Sequence, residues 1–226
     1  NPEFSPLLAG GAGAFTDASK IRKEAKLKED FVMLTDAGNI FQGSQLGTYD
    51  GGSNIIKWMN WMAYDAIVPG VRDFDQGVNN LSKLASEANF PFLASNLEGV
   101  DGIEDYKIID ANGVRIGLIG LITPFISEGL LPEYYEGVAV SDIKKTLNTQ
   151  IEKIRSDVDL IFVLSHLGIP YDREDEYDDF IKDIEQGVER PIRNAIELAH
   201  FTDEVDVIIT GCLLYTSDAA DESTGG

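Results

Sequence analysis

Apolar runs of strand length recur along this chain, and each stops abruptly at a polar or glycine-rich turn. Phe31-Val32-Met33-Leu34 ends at Thr35-Asp36-Ala37-Gly38-Asn39, Leu160-Ile161-Phe162-Val163-Leu164 ends at Ser165-His166, and Val205 to Thr210 ends at Gly211. Between such runs lie stretches whose apolar residues follow helical spacing, as Ile55, Ile56, Met59 and Met62 do within residues 53–63. Strands alternating with helices define an α/β domain, because each sheet face must be covered by a helix layer or a second sheet. Tyr106 to Ile109 and Val114 to Ile119 flank Ala111-Asn112-Gly113. Asn-Gly between two such runs is a strong hairpin signal, so an antiparallel element and a mixed sheet are expected.

The pattern predicts loop over residues 1–14, helix 16–29, strand 31–35 and a helix from 53 to 63 with Ser53 as N-cap. A strand over 66–68, a loop over 69–77, a helix over 78–88 and a strand over 92–95 follow. After the hairpin come helix 141–156 and strand 159–165. The very acidic stretch 171–186 reads as a solvated face or surface loop; it lacks the glycine and spacing of a calcium loop. Helix 190–200 and strand 205–210 close the pattern. Trp58 and Trp61 lie on the 53–63 helix and are expected to pack, and His200 near a helix end is expected to meet the helix dipole or solvent. No internal repeat and no linker divides the chain.

The charge balance is 18 basic against 39 acidic residues, a net of −21. Such a chain repels phosphate backbones and anionic membrane surfaces, so nucleic-acid binding and membrane association are not expected. A phosphorylated small substrate would need metal ions or local cations to offset that field. No apolar stretch approaches the ~20 residues that span a bilayer. The single cysteine, Cys212, excludes an internal disulfide and a cysteine metal cage.

In α/β sheets, ligands bind beyond the carboxyl ends of the strands. Four strand ends here carry polar or glycine-rich loops: Asp36 to Asn39, Gly70 to Asp75, Ser165-His166 and Thr210-Gly211. If these converge, their carboxylate, amide and imidazole groups suit a hard or borderline metal site.

The order of "TDAGNIFQG", "YDAIVPGVRDFDQGVNNL", "NFPFLASN", "NGVRIGLIGLITP", "DLIFVLSHLG" and "VDVIITG" resembles the calcineurin-like metallophosphoesterase domain of the bacterial 5′-nucleotidase family, over about residues 10–211. The resemblance implies a four-layer α/β/β/α sandwich with two mixed sheets and two divalent metals at the strand ends. A full family member also carries a C-terminal nucleotide-recognising domain.

Position by position the match is uneven. The family's Asp-x-Gly-Asp motif ends in the Asp that bridges both metals, and here that position is Asn39. The Gly-Asn-His-Glu/Asp motif supplies a ligand Asn and a catalytic His, and here Val71 and Arg72 stand in their places. Asp73 matches the acid after that His, and Asp75 the Asp that orients it. His166 matches the ligand of the Ser-His-Leu motif. The Asp-x-His motif would precede residue 1, and where Gly-His-x-His is expected the chain reads Gly211-Cys212-Leu213-Leu214. The stretch Cys212 to Glu222 resembles a translated sequencing adaptor. The expected organisation is therefore a partial metallophosphoesterase domain over 1–211 and an artefactual tail over 212–226.

Asn39 can ligate through its carbonyl oxygen but lacks the charge that holds two cations close together. Val71 cannot ligate. Arg72 stays protonated and cannot act as a general acid, yet it can bind a phosphate bidentately. The resemblance thus implies a 5′-nucleotidase-like phosphoric-ester hydrolase domain with a degenerate site holding one metal or none. Metal ligands would be Asn39, His166 and Asp36. Arg72 and Asp75 would stand at the catalytic positions, and Arg72 and Asn96 would contact a nucleotide or other small phosphate ester. The alternatives are a pseudoenzyme or ligand-binding domain and a structural domain of an exported protein. A periplasmic or cell-surface location follows from the family alone.

Overall fold

The computed structural model describes residues 10–41, 45–170 and 173–211; the supposed tail over 212–226 lies outside them. Two four-stranded sheets dominate. The first runs in the order β1 (Thr35–Asp36), β2 (Ala66–Ile67), β3 (Phe92–Leu93), β5 (Ile103–Glu104), parallel at every pairing. The second runs β10 (Val207–Thr210), β9 (Leu160–His166), β7 (Val114–Ile122), β6 (Tyr106–Ala111). Here β6 and β7 form the antiparallel hairpin turned at Asn112-Gly113, both with positive φ, and the other pairs are parallel. A small antiparallel ribbon joins β4 (Leu97–Glu98) to β8 (Ala139–Val140).

Three apolar clusters account for the layers. Ala66, Val68 and Leu93 of the first sheet meet Ile109, Ile116, Leu118 and Leu164 of the second, filling the space between the sheets. On the outer face of the first sheet, Ile56 and Met59 of α3 (Ser53–Met62) and Leu81 and Leu84 of α4 (Val78–Glu87) pack on Ile67 and Phe92. On the outer face of the second, Ile143, Leu147, Ile151 and Ile154 of α6 (Ile143–Ile154) and Leu198 of α8 (Ala195–His200) cover Ile119, Leu121, Ile161 and Val163. The result is a four-layer α/β/β/α sandwich. The two sheets approach closely at Gly120, where an added Cβ would lie 2.4 Å from Leu93 Cβ.

Several boundaries move from those expected. Helix α1 (Gly10–Lys28) begins well before residue 16, because the small residues there let it lie on α3. Phe15 stacks on Trp61 at 4.1 Å, and a Cβ on Gly11 would come within 3.1 Å of Trp58 Nε1. Residues 31–34 stay outside the ladder, and only Thr35–Asp36 pair as strand. The N-cap of α3 is Gly52, left-handed at φ 97°, so Ser53 sits one residue inside the helix. The loop expected over 69–77 contains a 3-10 turn, Val71–Phe74. The acidic stretch is largely helical, as α7 (Arg173–Glu185), with Phe180 buried and Arg190 bridging Asp183 and Glu197. Helix α8 starts later than predicted, at Ala195, where Asn194 caps it by accepting from Ile196 and Glu197 N–H. His200 sets its ring edge-on to Phe180 at 5.4 Å.

Candidate active site at the strand ends

All four predicted loops meet at one rim. A Cβ placed on Gly38 would fall 2.8 Å from His166 Nδ1 and 2.7 Å from Gly70 Cα. One placed on Gly70 would fall 2.7 Å from His166 Cε1 and 2.6 Å from Asn39 N. One on Gly211 would fall 2.6 Å from Ala37 O. Glycine is required where backbones approach this closely, and Gly38 at φ 97° also needs its conformational freedom.

Asp73 organises the first-sheet half of the rim. Its fully buried carboxylate accepts from Asn39 N (2.8 Å), Ile40 N (2.9 Å) and Gly70 N (2.8 Å). Burial pushes the Asp73 carboxyl up to about 7, while the three donors pull it down. A proton on either oxygen would face an N–H, so the geometry is that of the carboxylate. Asn39 is held left-handed at φ 63°, a conformation asparagine tolerates better than other residues with a side chain. Its Oδ1 accepts from Arg72 N at 2.8 Å, tying the two loops together.

The second-sheet half supplies His166, the last residue of β9, paired in register with Ile122. Its Nδ1 lies against the carbonyl of Ala37. Its Nε2 is buried and has no hydrogen-bond partner among the described residues. Burial lowers the imidazole pKa below its usual value, against the opposing pull of the Ala37 carbonyl. A neutral ring fixed through Nδ1 and presenting a bare Nε2 has the arrangement of a histidine that ligates a metal. Ser165 Oγ beside it is also buried without a partner among the described residues.

The other predicted residues have more local partners. Asp36 accepts from Gly38 N at 2.9 Å, and burial raises its pKa. Asp75 lies 3.8 Å from Arg72 in a loose ion pair; burial raises its pKa, and the guanidinium opposes that. Asn96 is 1% exposed, and its amide brackets one residue: Nδ2 donates to Ile122 O (2.8 Å) and Oδ1 accepts from Ile122 N (2.9 Å). It fastens the end of β7 to the first sheet. Val71 is buried in the apolar cluster of the first sheet, and Gly129 of α5 (Ile126–Gly129) lies so close that an added Cβ would meet Val71 Cγ1 at 3.0 Å.

His166 Nε2 has the chemistry of a ligand for a borderline divalent cation. Among the described residues, no three His, Cys, Asp or Glu side chains cluster so as to hold a metal. Asn39 Oδ1 already accepts a backbone N–H, and Asp73 faces three of them. Sequence reasoning did not single out Asp73 as the organiser, although it was legible as an acid flanked by glycine-rich loops.

Two sheets between helix layers, with converging strand-end loops around a histidine of this kind, define a calcineurin-like phosphoesterase fold. The calcineurin-like phosphoesterase YfkN of Bacillus subtilis superposes with a TM-score of 0.66 at 26% identity, over 95% of this chain and 68% of that one. The rat 5′-nucleotidase is 30% identical over 182 residues, 75% of this chain and 30% of its own length. The Vibrio cholerae 5′-nucleotidase is 29% identical over 165 residues, 70% of this chain and 30% of its own. No family model matches the sequence. The chain belongs to the 5′-nucleotidase family, within its calcineurin-like metallophosphoesterase domain. It spans 30% of the length of the rat and human 5′-nucleotidases.

Proposed function

We propose that this domain binds a phosphate monoester of the nucleotide class at the strand-end rim, with at most one divalent cation, and that its hydrolytic machinery is degenerate. The observation that carries the reading is the bare, buried Nε2 of His166 beside Asn39 and the Arg72 loop. His166 and Asn39 would hold the cation, with Asp36 the nearest acid along the chain. When bound, such a cation polarises a phosphoryl oxygen or activates a water.

The chain's own residues suit binding better than turnover. Arg72, the cation of the 3-10 turn, can meet phosphate oxygens with two N–H groups, and Asp75 lies beside its guanidinium. A permanently protonated guanidinium cannot give up a proton to a leaving oxygen, as an imidazole can. Val71 is apolar and buried where the family places an amide ligand. Among the described residues no helix is long and apolar enough to cross a membrane. The exported location of this reading comes from the family.

The test is manganese-dependent hydrolysis of 4-nitrophenyl phosphate, with metal affinity followed by calorimetry. The chain is expected to show no measurable turnover and weak metal binding. Robust hydrolysis would contradict the degenerate site. The triple substitution Asn39→Asp, Val71→Asn, Arg72→His is expected to raise metal affinity and to produce detectable turnover if decay is confined to these positions.

A further inference from the structure

The two outer helix layers carry opposite charge. Helix α7 holds seven acidic residues against two basic ones, in a chain of net charge −21. The end of α1 reverses that balance: residues 20–28 carry five basic residues against one acid, Glu24. Between α7 and α8 lies an open, mainly apolar groove of about 360 Å³ lined by Glu174, Tyr177, Asp178 and Ile196. Glu174, Tyr177 and Asp178 share one face of α7, being three and four residues apart, so two carboxylates flank the ring. Neither carboxylate forms an ion pair among the described residues, whereas Asp179 pairs with Lys182 and Asp183 with Arg190. On α1, Lys20, Lys23 and Leu27 share the face turned away from α3. The opposite face holds the buried Ala25 and Arg22, whose guanidinium donates to Met62 O and Ala63 O. Leu27 is 80% exposed, and the two lysines are exposed without an ion pair among the described residues.

We infer that the groove between α7 and α8 receives the α1 face of a second copy of this chain, with Leu27 entering between Tyr177 and Ile196 and with Lys20 and Lys23 meeting Glu174 and Asp178. Charge complementarity selects this occupant: in a strongly acidic chain, α1 presents an exposed basic face with an apolar tip, and the groove is its acidic, apolar counterpart. The two patches lie on opposite outer faces of the molecule. Helix α1 lies on α3, outside the first sheet, and α7 packs on α8, outside the second. The contact is therefore head-to-tail, and it continues beyond a dimer unless the rotation closes a ring. Two copies of net charge −21 repel at a distance. Salt at ~0.15 M screens that repulsion beyond about 8 Å while close pairs keep their attraction, so the contact is weak and short-ranged.

Sedimentation equilibrium of the 226-residue chain in ~0.15 M salt tests the inference. The weight-average mass is expected to about double from the 24.7 kDa of the monomer near ~0.1 mM, as open-ended association with a Kd on the order of 0.1 mM gives. Glu174→Lys with Asp178→Lys, and separately Lys20→Glu with Lys23→Glu, should each return the chain to monomer, since each sets like charges face to face. An equimolar mixture of these two variants should associate again, because each then offers the other an opposite face. A misfolded variant would not give that recovery. Leu27→Ser should weaken association about tenfold, through the loss of one buried leucine side chain. A wild type that stays monomeric at ~0.5 mM overturns the inference, even if oligolysine binds the groove and so assigns it to a different basic protein. Association that survives both charge reversals, or a mixture that stays monomeric, overturns it as well.

Discussion

The two sheets contribute to the same rim in different ways. The second sheet is built from long strands, β7 with nine residues and β9 with seven, almost wholly buried along their final turns. It delivers His166 as part of a continuous ladder, so the imidazole is placed by backbone pairing. The first sheet pairs through strands of two residues, and its loops are shaped by side-chain contacts to backbone: Asp73 to three N–H groups, and Asn39 to Arg72 N. His166 stands on the ladder-held side, and Asn39, Val71 and Arg72 stand on the loop-held side. Loops tolerate exchange when a few polar anchors keep their shape. Asp73 is such an anchor.

This contrast predicts unequal responses. The largest is expected for Asp73→Ala, which leaves three buried N–H groups without an acceptor. The loss should be about 3 kcal/mol or more in urea unfolding, and a loss below about 1 kcal/mol would mean that the loop is held by something else. Next is Leu118→Ala between the sheets, where a fully buried side chain is truncated; about 3 kcal/mol is expected. Gly70→Ala should cost about 2 kcal/mol and shift the His166 ring resonances, since the new methyl would lie 2.7 Å from Cε1.

A smaller effect separates the halves by pH. Burial depresses the His166 pKa, so the folded state disfavours the imidazolium. The resulting stability is complete above the ordinary value of about 6.5 and is lost as pH falls through the depressed one. The urea midpoint of the wild type should therefore drop between pH 7.5 and 5 relative to His166→Gln, and a constant difference would remove the titrating imidazole from the account. The smallest effect belongs to Asp142→Ala, which removes the cap that accepts from Lys145 N (2.8 Å) at the start of α6. About 1 kcal/mol is expected, with no change at the rim.

Much of this was readable from residues alone. The hairpin at Asn112-Gly113 and the core stripe of α3 followed from periodicity and turn chemistry, whereas the meeting of the four strand ends was a condition that the fold fulfilled. The start of α1 was not readable, because its small residues carry little helical pattern and their helix is secured by packing on Trp58 and Trp61. Asn96 shows the commoner difficulty. A polar residue after a strand looks like a ligand contact, and only the fold reveals that its amide is bonded to Ile122 on the neighbouring sheet.

The sequence by itself determined most of the helices, the longer strands and the residue types that stand at the strand ends, because these depend on local spacing and side-chain chemistry. Only the tertiary structure decided which polar groups are left to act. Asp73 and Asn96 are taken up by backbone partners, while His166 Nε2 is left bare. Hydrogen-bond satisfaction depends on atoms brought together from distant parts of the chain, and no local pattern records it.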